Sequence, residues 1–483
     1  MKVSELEPVE IWRNFASLNA VPRPSKREEK VIEFMVNFGK NLGLETTTDR
    51  IQNIIIKKPA TQGMENRETV ILQSHVDMVH QKNSDTVFDF ENQGIQMLVD
   101  GDWVKAEGTT LGADNGIGVA TIMGLLASND IAHPALEAMF TVDEETGMTG
   151  AMQLDPQKYA GKILLNLDTE DDDELSIGCA GGIDTNTSYN YSTIQTPNSN
   201  FGYIIKLRGL MGGHSGMDID KGRGNANKLM TRLLYEAPFK FNLHEFDGGS
   251  LRNAIPREAT ATISIAQNSI ELFESYIEKV ESLFLSEYNP IESNLKITIE
   301  SLQKLPLKSV SENDQAKILS VLYGLPNGVF KMSLKFDNLV EASSSLARVI
   351  VKDEKFISQS LQRSSVESTK TDVSNAIKSC FELIGADIEQ TGDYPGWEPN
   401  PNSAILNLMA GIYRNKFQEE PQIKACHAGL ECGILGKHLP HVDMISFGPN
   451  IRHAHSPDEC VQISSVQKFW SYLLEVLENI PEK

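Results

Sequence analysis

The stretch "ETVILQSHVD", residues 68–77, runs through Val70, Ile71 and Leu72 without a polar break and then closes on Gln73, Ser74, His75 and Asp77. A strand with one wet face would alternate apolar and polar residues. A short continuous run bounded by polar residues suits a strand covered on both faces. The same texture recurs in "NIIIKK" (53–58), "LEAMFTVDEE" (136–145) and "KILLNLDTE" (162–170). Between two of these runs lies "NGIGVATIMGLLAS" (115–128), which reads as a helix. Strand and helix therefore alternate, and the first part of the chain is expected to form an α/β sheet.

Other segments extend this reading. "SKREEKVIEFMVNFGKNLGLE" (25–45) starts with a capping box, Ser25 with Glu28, continues at helical spacing and offers Gly43 as a stop. After about residue 182 the order becomes β-α-β-α: "FGYIIKLRGLMGGHSG" (201–216), "GNANKLMTRLLYEA" (224–237), "EATATISIA" (258–266) and "ELFESYIEKVESLFLSEY" (271–288). A similar order follows in "LKITIES", "NDQAKILSVLYGL", "ARVIVKD" and "KTDVSNAIKSCFELIG", which suggests a doubled βαβ unit. "TGDYPGWEPNPNSA" (391–404) reads as a linker. The first texture then resumes, ending in a helix with one apolar stripe from Val466 to Ile480. The expected organisation is a discontinuous α/β domain, 1–182 and 397–483, interrupted by an inserted domain, 183–396.

Composition narrows the function. At 483 residues the chain exceeds one ordinary core. Its 66 acidic and 44 basic residues give a formal charge of −22, which argues against nucleic acid or an anionic membrane surface as partner. The N-terminus lacks the apolar segment of a signal peptide, and no apolar run approaches the roughly 20 residues that span a bilayer. With five scattered cysteines reading as reduced thiols, a cytoplasmic protein is expected.

The chemistry sits where the buried runs close. His75 and Asp77, Asp114 in "LGADNGIG", Glu144 and Glu145 in "VDEETG", Asp168 in "LNLDTED" and His455 in "RHAHSPDE" all follow strands or precede a helix. In an open α/β sheet the carboxyl ends of strands converge on one crevice. Imidazoles and carboxylates gathered there suggest metal. With three protein ligands per zinc and one shared carboxylate, His75, Asp114 and Asp168 can hold one ion, and Asp114, Glu145 and His455 the other. Asp114 suits the bridge because it precedes a helix whose amides favour an ionised carboxylate. Of the adjacent glutamates, Glu144 is assigned as general base and Glu145 as ligand, although the residues alone leave the reverse open. A turn at Gly147 would aim both at one crevice. Asp77, on the same strand face as His75, can accept the ring N–H and fix the tautomer. Asp143 reads as a solvated strand end, and "CHAGLEC" as packing and loop chemistry.

In this order the motifs "SHVDMVHQK", "GTTLGADNGIGVA", "DEETGMTGA", "NLDTED", "GCAGG", "GLMGGHSGMDI", "LRNAIPRE", "HAGLECG" and "HSPDE" span nearly the whole chain. The sequence thereby resembles the aminoacylase, carboxypeptidase and dipeptidase superfamily of co-catalytic zinc peptidases. The resemblance is strongest to the aminoacyl-histidine (Xaa-His, peptidase D type) dipeptidases. It implies a zinc-peptidase catalytic domain with an inserted α+β lid and dimerisation domain, a homodimer through that lid, and two zinc ions per chain, with cobalt or manganese as substitutes. It places the base on Glu144 and the ligands on His75, Asp114, Glu145, Asp168 and His455. It also implies that His214 stabilises the oxyanion, and that Asn253, Arg363 and the backbone at Gly429 receive the substrate's carboxylate. The implied reaction is hydrolysis of dipeptides with a free C-terminal carboxylate, Xaa-His (carnosine-like) dipeptides included, by an attacking hydroxide shared between the metals. The competing readings are an N-acyl-amino-acid amidohydrolase or exopeptidase with the same metals and, more distantly, a noncatalytic metal-binding protein.

Overall fold

Val70–His75 is a strand, and all six of its residues are buried. In the computed structural model, which describes residues 2–483, it lies near the middle of an eight-stranded sheet. The strands are β1 (Glu45–Thr48), β2 (Ile54–Lys58), β3 (Val70–His75), β4 (Leu136–Thr141), β5 (Ile163–Asn166), β6 (Glu174–Cys179), β7 (Gln422–Cys426) and β8 (Asp443–Ser446). Their order across the sheet is β1-β2-β4-β3-β5-β8-β6-β7. The central four, β4, β3, β5 and β8, are mutually parallel, so their carboxyl ends emerge together. The register pairs His75 with Thr141, and Gln73 with both Met139 and Asn166.

Alternation along β3 explains the unbroken apolar run. Ile71 joins Ile55, Met139 and Leu164 against Ile434 and Leu435 of the helix Glu431–His438. Ser74 points the other way and meets the helix Ala113–Ala127 so closely that a Cβ on Gly118 would lie 2.5 Å from its Oγ. Beneath the strand ends runs a buried polar chain. Asn166 donates to Gln73, Ser446 donates to Asn166, and Gln73 Nε2 donates at 2.7 Å to Glu431. The final helix, Ile463–Glu478, buries Val466, Phe469, Trp470, Leu473 and Leu477 on one side.

The chain divides into two compact units. Unit 1 comprises the residues up to Gly178, Trp397–Ala425 and Leu430–Lys483; unit 2 comprises Cys179–Gly396 and Cys426–Gly429. The first crossing thus falls a few residues before the expected 182/183 boundary, and the short return of 426–429 to unit 2 has no counterpart in the sequence reading.

Unit 2 is built on a nine-stranded sheet. Its paired strands are antiparallel, so the doubled βαβ expectation is incorrect. Strands Gly181–Asn190, Phe241–Gly248, Lys355–Ser364 and Asp387–Tyr394 fill the positions between and beside the apolar strands read from sequence. Their polar faces pair with each other: Thr187 Oγ1 lies 2.8 Å from Ser358 Oγ, and Thr185 Oγ1 donates to Gln362 at 2.6 Å. The helices Ala226–Tyr235 and Ile270–Tyr288 supply Leu229, Met230, Leu233, Phe273, Ile277 and Phe284 to the core of this unit.

A Cβ at Gly118 would also meet Asn115 Oδ1 at 2.6 Å and the Leu167 carbonyl at 2.7 Å. Helix propensity alone would make Gly118→Ala stabilising by about 1 kcal/mol. Because the neighbours include backbone, we expect overpacking to win and the substitution to destabilise by about 1–3 kcal/mol in urea unfolding. A neutral or stabilising result would contradict this packing.

Candidate metal centre

His75 ends β3, so its ring leaves the sheet on the carboxyl side. Its Nδ1 lies 3.2 Å from the Asp77 carbonyl and 3.3 Å from Asp77 Oδ1. A ring whose Nδ1–H is engaged by Asp77 presents Nε2 as a lone pair. That Nε2 is 3.1 Å from Asp114 Oδ1 and 3.6 Å from Asp168 Oδ1. The other oxygen of Asp114, Oδ2, is 3.1 Å from His455 Nε2, which in turn is 3.0 Å from Glu145 Oε2. Asp114 therefore turns one oxygen to each imidazole. Five side chains spread over nearly four hundred residues form one connected group within unit 1.

The donor chemistry fits divalent cations. Glu145 Oε1 and Asp168 Oδ1 are buried and accept no hydrogen bond. A buried carboxylate oxygen without a donor is costly. Ligand atoms of His75, Asp114 and Glu145 lie within 4.8 Å of one another. Two imidazoles with three carboxylates, one oriented to both sides, is a donor set suited to zinc.

Asp77 does more than orient a ring. Its Oδ1 accepts from Glu144 N at 3.1 Å and its Oδ2 from Glu145 N at 3.3 Å, while Ser25 Oγ donates to Oδ2 at 2.8 Å. Ser25 is thus committed to Asp77, and the helix Glu29–Asn41 begins on Glu28 without the expected capping box. The turn that aims the two glutamates starts at Asp143 (φ 55°), before Gly147, and Glu144–Gly147 forms one helical turn. Asp143 is buried, paired with Lys26 at 2.5 Å and hydrogen-bonded by Thr146 and Thr149, so the solvated reading of it is incorrect.

Asp114 also differs from expectation. It is extended (φ −80°, ψ 109°), and its carboxylate faces imidazoles instead of helix amides. Burial alone would raise its carboxyl; the adjacent imidazoles of His455 and His75 outweigh that and hold it well below the usual range. The contacts to Asp114 and Glu145 push His455 up to about 11. Burial drives the Glu144 carboxyl well up, with His75 opposing and the surrounding carboxylates Asp168, Glu431 and Glu145 adding to the rise. Burial likewise raises Asp168 well above an ordinary aspartate and Glu431 to about 7. Glu144 is therefore a buried carboxyl with raised proton affinity.

The remaining residues singled out from sequence, His214, Asn253, Arg363 and Gly429, belong to unit 2. His214 Nδ1 accepts from Gly216 N at 3.2 Å and Met217 N at 3.0 Å. In the neutral ring the proton then sits on Nε2. Burial, helped by the nearby Arg363 guanidinium, lowers His214 to about 4 and keeps it neutral. Arg363 Nη2 lies 3.4 Å from that Nε2, and Arg363 Nη1 donates to Tyr394 OH at 2.9 Å. Two donors thus stand side by side. Asn253 is exposed and its carbonyl accepts from Ser215 N at 2.9 Å. His427, read from sequence as loop packing, lies 2.7 Å from Ser343 Oγ and is lowered to about 3, by burial first and then by Arg363.

Sequence reasoning passed over Glu459, Arg23 and Glu431. Glu459 closes the quoted "HSPDE" but was given no role there; in the fold it is 2% exposed. No signal in one sequence marks it as buried.

A family model described as the peptidase dimerisation domain, of the M20 class, matches residues 205–292. The chain is 41% identical to the cytosol non-specific dipeptidase of Escherichia coli (strain K12) over 484 aligned residues, covering all of both chains. The crystal structure of the aminoacylhistidine dipeptidase from Vibrio alginolyticus superposes with a TM-score of 0.95 at 41% identity, covering 100% of this chain and 99% of that one. Aminopeptidase PepT from Bacillus cereus, at 15% identity, a TM-score of 0.57 and coverage of 98% and 99%, shares the fold.

Because Asp77 supports both a histidine and the glutamate pair, Asp77→Ala is expected to weaken zinc binding about 10–100-fold in a chelator competition assay. Wild-type affinity in that variant would contradict the support role.

Proposed function

The chain belongs to the M20 peptidase family, among its dipeptidases, and on that premise we propose that unit 1 carries two zinc ions per chain and hydrolyses dipeptides that have a free C-terminal carboxylate. Xaa-His dipeptides such as β-alanyl-histidine are included, and cobalt or manganese would substitute. The observation that carries this reading is the Asp114 carboxylate, with one oxygen 3.1 Å from each of two imidazole nitrogens and Glu144 close by. His75, Asp114 and Asp168 would hold one ion, and Asp114, Glu145 and His455 the other. Bound there, such cations supply Lewis acidity that polarises a peptide carbonyl and acidifies water.

The chain's own groups do the rest. Glu144 takes a proton from the attacking water and passes it to the leaving amine nitrogen. Asp77 keeps the His75 ring in the tautomer that offers Nε2, and holds the backbone of Glu144 and Glu145. In unit 2, His214 donates from Nε2 to the oxyanion, and Arg363, Asn253 and the Gly429 backbone receive the substrate carboxylate. The dimerisation-domain match supports a homodimer formed through unit 2. A cytoplasmic location rests on the cytosol relative; among the described residues no helix is long and apolar enough to cross a membrane.

The test is a zinc-loaded preparation assayed on Ala-His, acetyl-Ala and a tripeptide, beside Glu144→Gln. We expect Ala-His to be cleaved fastest. Glu144→Gln should retain about two zinc per chain and lose about 10²–10⁴-fold in turnover. Preference for acetyl-Ala would favour an amidohydrolase, and loss of metal in the variant would make Glu144 a ligand.

A further inference from the structure

The loop that delivers Asp114 is gripped from both sides by buried charges. On its amide side, Glu459 Oε2 accepts from Leu111 N at 2.7 Å and Gly112 N at 2.8 Å, and Glu459 Oε1 accepts from Ala113 N at 2.7 Å and Asp114 N at 3.1 Å. Four consecutive amides thus converge on one carboxylate. On its carbonyl side, Arg23 Nη2 donates to the Gly112 carbonyl at 2.5 Å and to Asn19 Oδ1 at 2.9 Å, while Asn19 Nδ2 donates to the Leu111 carbonyl at 2.9 Å. Arg23 Nη1 also donates, at 3.1 Å each, to the carbonyls of Val76 and Asp77, the residues that follow His75.

We propose that Glu459, opposed by Arg23, is the positioning residue for the bridging carboxylate. This deepens the two-metal reading and rests on it. The four amides from Leu111 to Asp114 point at an anion, the Gly112 carbonyl points at a cation and the Leu111 carbonyl at the Asn19 amide, so the loop has one electrostatically favoured orientation. Glu459 also sits four residues after His455, which ties the Asp114 loop to the segment bearing the second imidazole. Arg23 ties the same loop to the end of β3. Two ligands of one ion, Asp114 and His455, therefore depend on a single carboxylate.

Burying Glu459 and Arg23, 2% and 1% exposed, carries a desolvation cost that closing a loop would not demand. Gly112 shows how tight the grip is. Its φ is +69°, and a Cβ there would lie 2.6 Å from Arg23 Nη2. The ligands His75 and Asp168 have other supports: Asp77 for the first, and for the second the hydrogen bonds from Leu167 N to Gln73 O at 3.0 Å and from Asn115 Nδ2 to Leu167 O at 2.5 Å.

The clamp can be separated from general stability by titrating the full-length chain with zinc against a chelator, and with cobalt followed by visible absorption. In Glu459→Gln the side-chain NH₂ would face amides that need an acceptor. Because Asp114 is shared, both equivalents are expected to weaken, the first modestly and the second, whose site also holds His455, about 10–100-fold, with the larger change in the cobalt spectrum at that second ion. Should Glu459→Gln fail to fold, Gly112→Ala, which pushes the loop off Arg23 with Glu459 intact, is expected to give the same uneven loss, larger for the second equivalent. Unchanged binding of both equivalents would overturn the proposal. So would equal loss of both in proportion to a lowered melting temperature, which is the mark of a merely structural residue. A wild-type chain that takes up no pair of ions would instead overturn the two-metal reading itself.

Discussion

One carboxylate shared between two imidazoles organises unit 1. Asp114 cannot turn an oxygen to each of His75 and His455 unless its backbone is fixed independently of both, because a freely rotating carboxylate would pair with one ring and abandon the other. The fold meets that requirement by placing His75 at the end of a central parallel strand and by holding the Asp114 loop through its peptide groups. The unpartnered oxygens of Glu145 and Asp168 then have an electrostatic reason to exist: they complete a site for positive charge.

The adjacent acids Asp143, Glu144 and Glu145 illustrate how three identical charges acquire three tasks. Asp143 takes the left-handed backbone conformation that starts the turn and is neutralised by Lys26. Glu145 faces His455, and Glu144 is left among groups that raise its proton affinity. Asp77 holds the backbone of the latter two. Division of labour here follows from backbone geometry and burial, since the side chains of Glu144 and Glu145 are chemically the same.

Unit 1 was legible in the sequence because its strands are buried on both faces and end where the chemistry begins; the apolar runs and the polar residues that close them carry the same information. Unit 2 was less so. Val340–Lys352 and Lys355–Ser364 bury Ser344, Ser358, Ser360 and Gln362, whose side chains hydrogen-bond to neighbouring strands, and a hydrophobic pattern cannot register such strands. The five proposed ligands could be found by composition at strand ends. Ser25, Arg23 and Glu459 could not, because their roles consist of hydrogen bonds to backbone or to residues distant in sequence, and nothing local distinguishes a buried acid that collects amides from a solvated one.

The central claim is that Asp114 lies between two cations. Anomalous scattering from crystals of the zinc-loaded chain, recorded on both sides of the zinc absorption edge, tests it most directly. Two peaks about 3.5–4 Å apart, one on each side of the Asp114 carboxylate, are the predicted result. A single peak, or a pair that leaves Asp114 to one side, would contradict it.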